Sequence, residues 1–462
     1  MPSRQALQDR FQRHIAFCFR LRLADAADTT AAVFRAAADA GACAKDLALV
    51  ELAEGSGEMV YDLTVFTTGD AQMAEVRSAL ESIPGVAIDV VTDLAMDSHI
   101  GGACEMRSRR PIRSNTDLRI VYTPGVARVC KAIEAEPDLA RTYTNIANKV
   151  AICTNGTAIL GLGDIGCVPG LPVMEGKSAI FWEFAGISAE PILVDTHDAD
   201  AFIDVMMKIA PTFGAIQVED VKAPECFTIT RELDEHLPIP VFHDDQHGTA
   251  TVVLAGLYSA LARTGKRIED QTCVISGAGA AGTAIADLLT RAGVPDVVLC
   301  DSRGVLHKDR TENMNPEKRA LAERTNAEGI TGTLADAMAG RALFIGVSQP
   351  DIVTQEMVRS MQPDPIVFAL ANPVSEIAVP DAYAAGASVV ADGRMMNNAL
   401  AYPGLFRGAL DAQSPAITIE MMMAAAEALS KVVPEGELMP EMMDPATHQA
   451  VARAVAEQAL LS

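Results

Sequence analysis

The chain has 462 residues, and its 61 acidic and 37 basic side chains give a formal net charge of −24 at pH 7. A surface this negative repels nucleic-acid phosphates and anionic lipid headgroups, which disfavours nucleic-acid-binding and membrane-surface proteins. Hydrophobic residues make up 49% of the sequence and charged residues 21%, a composition that excludes wholesale disorder and suits packed domains of ~150 residues each.

Cysteine content and hydropathy predict a cytoplasmic protein. The nine cysteines form no CxxC pair and no zinc-finger spacing, which indicates reduced thiols rather than a disulfide framework. No apolar run approaches the ~18 residues that cross a bilayer. The basic N-terminus lacks the apolar core of a signal peptide because Arg20 and Arg22 interrupt it.

Residues 1–92 predict a small α+β module. Its strand, helix, strand, strand, helix and strand signals cover residues 14–23, 29–42, 46–52, 58–66, 71–83 and 86–91, with a turn at 54–57. This βαββαβ order is typical of a ferredoxin-like fold. The module resembles an ACT domain, a regulatory unit that often binds amino acids at a subunit interface. A packing or dimerisation module without a ligand has the same order of elements.

Residues 93–462 alternate strand and helix signals, as in α/β proteins. Apolar runs typical of parallel strands covered on both faces occur at 150–153, 191–195, 215–218, 272–276, 297–300, 343–347 and 366–369. The pattern predicts an α/β substrate domain over residues 93–247. A doubly wound, Rossmann-type dinucleotide-binding domain with C-terminal helices is expected over 248–462.

The GxGxxG pattern occurs twice, and only the second copy has the context of a dinucleotide site. Residues 161–166 are followed by Pro169 and Pro172, which oppose an immediate helix. The second copy lies between a strand run and a helix run, so its backbone can approach a pyrophosphate at a helix N-terminus. The predicted cofactor-binding residues of this loop are Gly277, Gly279, Ala280, Ala281 and Gly282.

Asp301 follows Gly277 by 24 residues, near the ~20 expected for the acid that binds the cofactor ribose. Its carboxylate can accept a hydrogen bond from a free 2′-hydroxyl and would repel a 2′-phosphate, which favours NAD. Arg303 and Lys308 follow closely and could bind a phosphate, so NADP stays open.

Two acidic pairs, Glu219-Asp220 and Asp244-Asp245, follow short strand runs. Adjacent carboxylates repel each other unless a cation joins them, and oxygen ligands of this kind suit Mg²⁺ or Mn²⁺. The alternative for either pair is a solvated loop. His243 and His247 flank the second pair, and we expect them to hydrogen-bond or pack rather than to bind a metal.

Lys177 precedes an apolar run at 179–185, and Tyr122 precedes a turn and a helix start. Beside a divalent cation the pKa of a lysine falls from ~10.4 toward the ~7–8 that suits a general base. A tyrosine in a site can donate a proton. A solvated lysine and a buried structural hydroxyl are the ordinary alternatives.

Together these strings resemble the malic enzyme family, and they occur in the family's order. The matching segments are residues 122–126, 159–164, 176–177, 218–220, 243–249, 277–282, 371–373 and 397–398. The short bacterial type, some members of which carry an N-terminal ACT domain, fits the whole length. The resemblance implies an oxaloacetate-decarboxylating malate dehydrogenase that converts (S)-malate to pyruvate and CO₂ and reduces NAD or NADP. A homodimer or higher homo-oligomer is the family expectation.

The resemblance also implies residue roles. Lys177 would take the malate hydroxyl proton, Tyr122 would protonate the enol of pyruvate, and Asp244 would tune Lys177. The implied ligands of Mg²⁺ or Mn²⁺ are Glu219, Asp220 and Asp245. The implied contacts to substrate and nicotinamide come from Asn372, Asn397 and Asn398.

One departure from the family concerns substrate binding. Longer relatives carry an arginine just before the ILGLG string, where it grips a malate carboxylate, and this chain has Thr157-Ala158 there. The malate carboxylate must therefore be bound by other residues.

Two alternative functions stay open. One is a malolactic-type enzyme that keeps its cofactor and releases lactate, and the other is a non-catalytic sensor that binds an effector at the ACT-like module.

Overall fold

A computed structural model describes residues 15–24, 27–52, 58–159, 162–372 and 374–461. The chain divides into two compact units, Met1–Glu105 and Met106–Ser462. The predicted turn at 54–57, and Leu160, Gly161 and Pro373 of the family strings, lie outside the described residues.

The first unit is a four-stranded antiparallel sheet with the order β2-β3-β1-β4. Alternate residues of β1 are buried with residues of both helices in one core, which the period-2 geometry of a strand explains. This topology is the predicted ferredoxin-like one. The elements are β1 (Ile15–Ala24), α1 (Ala27–Asp39), β2 (Cys43–Leu52), β3 (Glu58–Thr67), α2 (Asp70–Glu81) and β4 (Val86–Asp93), followed by α3 (Leu94–Ser98).

The second unit begins with three short helices that contribute nothing to its core. They are α4 (Asn115–Val121), α5 (Val126–Ala135) and α6 (Leu139–Tyr143). None of the three contains a buried residue. Short helices are usually stabilised by tertiary packing of one face. Because these three bury no side chain, they lack that stabilisation within the chain.

A parallel sheet follows, with the order β6-β5-β7-β8. Its middle strands are almost completely buried, which accounts for their continuous apolar runs. The elements are β5 (Lys149–Thr154), α7 (Cys167–Ala185), β6 (Ser188–Leu193), α8 (Ala199–Ile209), β7 (Ala215–Val218), α9 (Glu225–His236) and β8 (Val241–His243).

The expectation that no helix follows the first glycine pattern is wrong. α7 starts at Cys167 and continues through both prolines. Pro169 lies in the first turn, where a backbone N–H has no helical partner, and Pro172 removes one hydrogen bond from a helix of 19 residues.

The last sheet has the order β11-β10-β9-β12-β13-β14, and all its neighbouring strands are parallel except β10 and β11. From β9 the chain adds β10 and β11 on one side, and from β12 it adds β13 and β14 on the other. The switch point therefore lies between β9 and β12, which is where doubly wound folds bind ligands. The strands are β9 (Thr272–Ser276), β10 (Asp296–Asp301), β11 (Gly304–Val305), β12 (Leu343–Gly346), β13 (Ile366–Ala369) and β14 (Val389–Asp392).

Helices cover this sheet and join it to the preceding one. Residues of α10, α16 and both sheets share a single hydrophobic core. None of the helices in the described part of the chain is long and apolar enough to cross a membrane. The helices are α10 (Thr249–Thr264), α11 (Ala280–Ala292), α12 (Pro316–Arg324), α13 (Leu334–Met338), α14 (Gln355–Arg359), α15 (Val379–Ala384), α16 (Tyr402–Asp411), α17 (Ile419–Lys431) and α18 (Pro445–Ala459).

Candidate active site

The two acidic pairs meet at one edge of the sheet because they follow neighbouring parallel strands. Glu219 and Asp220 come directly after β7, and Asp244 and Asp245 directly after β8. Ligand oxygens of Glu219, Asp220 and Asp245 lie within 4.8 Å of one another. Glu219 is 1% exposed and Asp220 is 5% exposed. The structure therefore brings the three predicted metal ligands together.

Hydrogen bonds fix the orientation of these carboxylates. Gln217 on β7 donates its amide to Glu219 Oε2 at 2.6 Å, and the Asp220 backbone N–H donates to Asp245 Oδ2 at 3.1 Å. Asp244 and Asp245 lie in a one-turn π-helix (Asp244–Gly248), a local structure that occurs frequently at functional sites.

Lys177, on α7, contacts the same carboxylates. Its ammonium is hydrogen-bonded to Asp244 Oδ2 and lies 2.8 Å from Glu219 Oε1, and the side chain is 12% exposed. Burial lowers the pKa of the Lys177 ammonium, but the charges of Asp244 and Glu219 outweigh this effect and raise the pKa well above its usual value. Lys177 therefore serves as a positive counter-ion inside an acidic cluster.

The cluster has more negative than positive charge. Lys177 brings one positive charge to four carboxylates, and burial raises the pKa of Glu219 well above its usual value and that of Asp244 to about 6. Burial lowers the pKa of His243 and, to about 4, that of His247, so both imidazoles are neutral near pH 7. Buried carboxylates without compensation are costly, and a set of carboxylate oxygens is the chemistry that binds Mg²⁺ or Mn²⁺. The residues therefore fit a divalent cation.

The predicted asparagines lie on loops after β13 and β14. A Cβ at Gly248 would overlap Asp244 Oδ1 and lie 3.4 Å from the Cβ of Asn398, so Asn398 is a neighbour of Asp244. A Cβ at Gly393 would lie 2.7 Å from the amide nitrogen of Asn372. Asn397 instead uses its side-chain oxygen to cap a short helix, accepting from the Ala399 N–H at 2.9 Å.

The second glycine pattern forms the turn between β9 and α11. Gly277 has φ 119°, and a Cβ there would lie 2.5 Å from the Val347 carbonyl oxygen. A Cβ at Gly282 would overlap the Gly277 carbonyl oxygen. Gly279 faces open space, and α11 starts at Ala280. The loop thus leaves backbone accessible at a helix N-terminus, which fits a pyrophosphate.

Asp301 ends β10, and its carboxylate is already occupied. It accepts hydrogen bonds from Arg310 at 2.7 and 2.8 Å, from Lys318 at 2.7 Å, from Asn313 at 3.0 Å and from the Arg303 N–H at 2.8 Å. Burial raises the pKa of Asp301, but the bonds from Lys318 and Arg310 outweigh burial and lower it. The prediction that this acid repels a 2′-phosphate is therefore weakened, because two partly buried cations compensate its charge.

Tyr122 and Lys177 are not brought together within one chain. Tyr122 is 64% exposed, and in the described part of the chain no hydrogen bond or ring contact joins it to Lys177. The aromatic ring beside the lysine is Tyr402, whose centroid lies 4.9 Å from Lys177 Nζ. Sequence reasoning missed Tyr402; the available signal was its position four residues after Asn398.

Comparisons with known proteins point the same way. The profile "Malic enzyme, N-terminal domain" matches residues 102–234, and "Malic enzyme, NAD binding domain" matches residues 246–460. The chain is 46% identical over 410 residues to the NAD-dependent malic enzyme of Geobacillus stearothermophilus, covering 87% of this chain and 85% of that protein.

A second relative, the bifunctional malic/malolactic enzyme of Bacillus subtilis, is 46% identical over 369 residues, which is 78% of this chain and 90% of that protein. Among solved structures, the NAD-dependent malic enzyme of Thermotoga maritima is 40% identical with a TM-score of 0.76. It is matched over 79% of this chain and 99% of its own.

Proposed function

The chain belongs to the malic enzyme family, and we propose that it converts (S)-malate to pyruvate and CO₂ while reducing NAD or NADP. The observation that carries this proposal is the contact of Lys177 with Glu219 and Asp244 at the edge of the acid cluster. Assay of the purified protein with malate, Mn²⁺ and each nucleotide tests it. Failure to form pyruvate with either nucleotide would refute it.

The chemistry gives each group a task. Removal of the hydroxyl proton by Lys177 lets C2 release a hydride, and the oxaloacetate formed carries a carbonyl β to its C4 carboxylate. Loss of CO₂ leaves an enolate, which becomes pyruvate when Tyr122 protonates C3. Asp244 holds the Lys177 ammonium in place and tunes its pKa.

A divalent cation and a dinucleotide would complete the site. Glu219, Asp220 and Asp245 would hold Mg²⁺ or Mn²⁺, which stabilises negative charge on the substrate oxygens when bound. With part of the surrounding negative charge offset in this way, the pKa of Lys177 would fall and its amine could accept the proton. The loop 277–282 and Asn372 would hold NAD(P), whose nicotinamide accepts the hydride. Asn398, beside Asp244, is our candidate for a substrate contact, and the same role predicted for Asn397 stays a prediction.

We propose NAD as the preferred acceptor. Support comes from the relatives named NAD-dependent malic enzyme. Relatives named NADP-dependent malic enzyme keep NADP as the alternative. Comparison of kcat/KM for the two nucleotides at saturating malate decides between them.

We propose a homodimer in which Tyr122 of one copy acts with Lys177 of the other. Helices α4–α6 bury no residue, and Ile120 and Val121 beside Tyr122 are 66% and 44% exposed. Contiguous exposed apolar side chains usually mark an interaction surface. A second copy would cover this surface. Tyr122 of one copy would then lie beside Lys177 of the other.

Mixing two inactive variants tests this arrangement. Tyr122→Phe and Lys177→Ala each lack one of the two groups. Refolding or subunit exchange would then create mixed dimers with one complete site, and about a quarter of the activity should return if subunits assort at random. A mixture that remains inactive although mass measurements detect mixed dimers would contradict the shared site.

The remaining assignments are also proposals. We place a regulatory ACT-like domain at 1–92, the substrate domain at 93–247 and the cofactor domain at 248–462, in a cytoplasmic protein. The ferredoxin-like topology supports the first of these, and an amino acid is the expected class of effector. Titration of amino acids against kcat/KM tests it, and absence of any effect would favour a packing module.

Malolactic chemistry is the second candidate because a relative with 46% identity is named a bifunctional malic/malolactic enzyme. Such an enzyme would release lactate and return its cofactor to the oxidised form. Product analysis during turnover discriminates the two: pyruvate with net nucleotide reduction supports malic enzyme activity, and lactate without it supports the alternative. A non-catalytic sensor would form neither product.

A further inference from the structure

Malate is a dianion, and the carboxylate remote from C2 needs a positive partner in a site already rich in acids. Thr157-Ala158 offers none. Thr157 Oγ1 donates to Asn155 Oδ1 at 2.7 Å and accepts from the Lys222 backbone N–H at 3.0 Å. This neutral hydroxyl is engaged in fixing its own loop.

The loops at the carboxyl edge of the substrate sheet contain only one lysine or arginine. These loops cover residues 155–166, 194–198, 219–224 and 244–248, and the residue is Lys222. Lys177 enters the site from helix α7 and is occupied by Asp244 and Glu219. Arg394, which follows β14 of the proposed cofactor domain, donates from Nε to Asp392 Oδ2 at 3.0 Å.

Lys222 is anchored beside the acid cluster. It lies two residues after Asp220 and is partly buried. Its backbone is tied to Thr157, and the Ala158 N–H donates to the Asp220 carbonyl at 3.0 Å, so the two loops are joined on both sides. Within the described part of the chain, the Lys222 ammonium forms no ion pair, although the protein carries a net charge of −24.

We propose that Lys222 binds the malate carboxylate remote from the metal-binding end and thereby selects dicarboxylic over monocarboxylic 2-hydroxy acids. This inference rests on the proposed function. A lysine ammonium is a compact charge on a flexible stem, so it can reach a substrate from an anchored backbone without the planar geometry that arginine requires. Its position next to Thr157-Ala158 compensates for the missing arginine.

The test compares malate with oxalate, which presents two adjacent carboxylates to a metal and has no remote one. In Lys222→Met we expect kcat/KM for malate to fall about 10- to 100-fold through KM. The inhibition constant of oxalate, the KM for NAD and the affinity for Mn²⁺ should stay within about twofold. Lys222→Arg should recover most of the loss. Lys208→Met, which removes an exposed lysine from α8, is the matched control.

Two outcomes would overturn the inference. One is a malate kcat/KM in Lys222→Met within twofold of the wild type. The other is an equal loss for malate and oxalate, which would indicate damage to the metal end. A wild-type protein that does not turn over malate would instead refute the proposed function, and the inference with it.

Discussion

Substitution of Asp301 by asparagine separates the structural role of this acid from its role in cofactor choice. The carboxylate forms ion pairs with Arg310 and Lys318, which are 7% and 14% exposed, and offsets one of their two charges. In Asp301→Asn these two cations lose their charged partner, and the local charge beside the cofactor ribose rises from +1 to +2. Arg310 keeps hydrogen bonds to three backbone carbonyls, so the loop should still form.

The magnitudes follow from burial and charge. Removing one partner of a buried ion pair lowers the free energy of unfolding by about 3–5 kcal/mol. Because Arg310 keeps its hydrogen bonds to backbone carbonyls, we expect a loss near the lower end, ~3 kcal/mol. One charge acting on a phosphate charge ~6 Å away contributes about 2.8 kcal/mol at an effective dielectric constant of ~20. Because the site is open to solvent on one side, screening by water and salt should reduce this interaction energy by about half. We therefore expect selectivity for NADP over NAD to rise about tenfold.

Steady-state kinetics with both nucleotides at fixed malate measure the selectivity, and denaturant unfolding measures the stability. Asp301→Asn with Lys318→Met returns the local charge to +1, so the selectivity should return toward the wild-type value. A single variant whose NADP-to-NAD ratio of kcat/KM stays within twofold of wild type would refute the charge argument.

The stability difference should depend on pH in a defined direction. The pKa of Asp301 is lowered in the folded protein, so its charge contributes stability above the unfolded value of ~3.9, and this contribution is lost as pH falls toward the folded value. Wild type and Asp301→Asn should therefore converge in unfolding free energy below about pH 4. A difference that stays constant to pH 3 would show that the variant acts by packing.

Three further substitutions address the acid cluster. Lys177→Ala should lower kcat by about 10²- to 10⁴-fold, the contribution of a general base, while the affinity for NADH measured by fluorescence is retained; near-normal kcat would remove the assigned base. Asp245→Ala should weaken Mn²⁺ binding by at least about tenfold in calorimetric titration, and an unchanged isotherm would exclude it as a ligand. Tyr402→Phe removes a buried hydroxyl that has no hydrogen-bond partner among the described residues, so stability should rise by about 1 kcal/mol; a lower melting temperature would indicate a partner.

The features that sequence reasoning predicted are those fixed by local rules. The glycine turn depends on residues 277–282 and the strand and helix beside them. Glu219-Asp220 and Asp244-Asp245 meet because consecutive strands of a parallel sheet end at the same edge. Both arguments need only the order of elements along the chain.

The features that it missed depend on contacts between distant residues. Arg310 and Lys318 reach Asp301 through the fold of a long loop, and no periodicity in the sequence marks them. Tyr402 is 225 positions from the lysine that it contacts, and its place follows from the packing of α16 on α7. The helix through Pro172 persists because the loss of one hydrogen bond is small beside the burial of a long apolar helix.

The two proposed ligand sites carry opposite local charges, and each opposes the charge of its ligand. Around Lys177 the carboxylates exceed the cations, so that region attracts a divalent cation and admits malate only with positive charge from the cation and Lys222. Around Asp301 two cations exceed one carboxylate, so a protein with a net charge of −24 can still hold an anionic dinucleotide. The net charge alone predicts that salt strengthens cofactor binding, because it screens a long-range repulsion. Salt also screens the local attraction around Asp301, so the affinity at high salt should be lower than the net charge alone predicts.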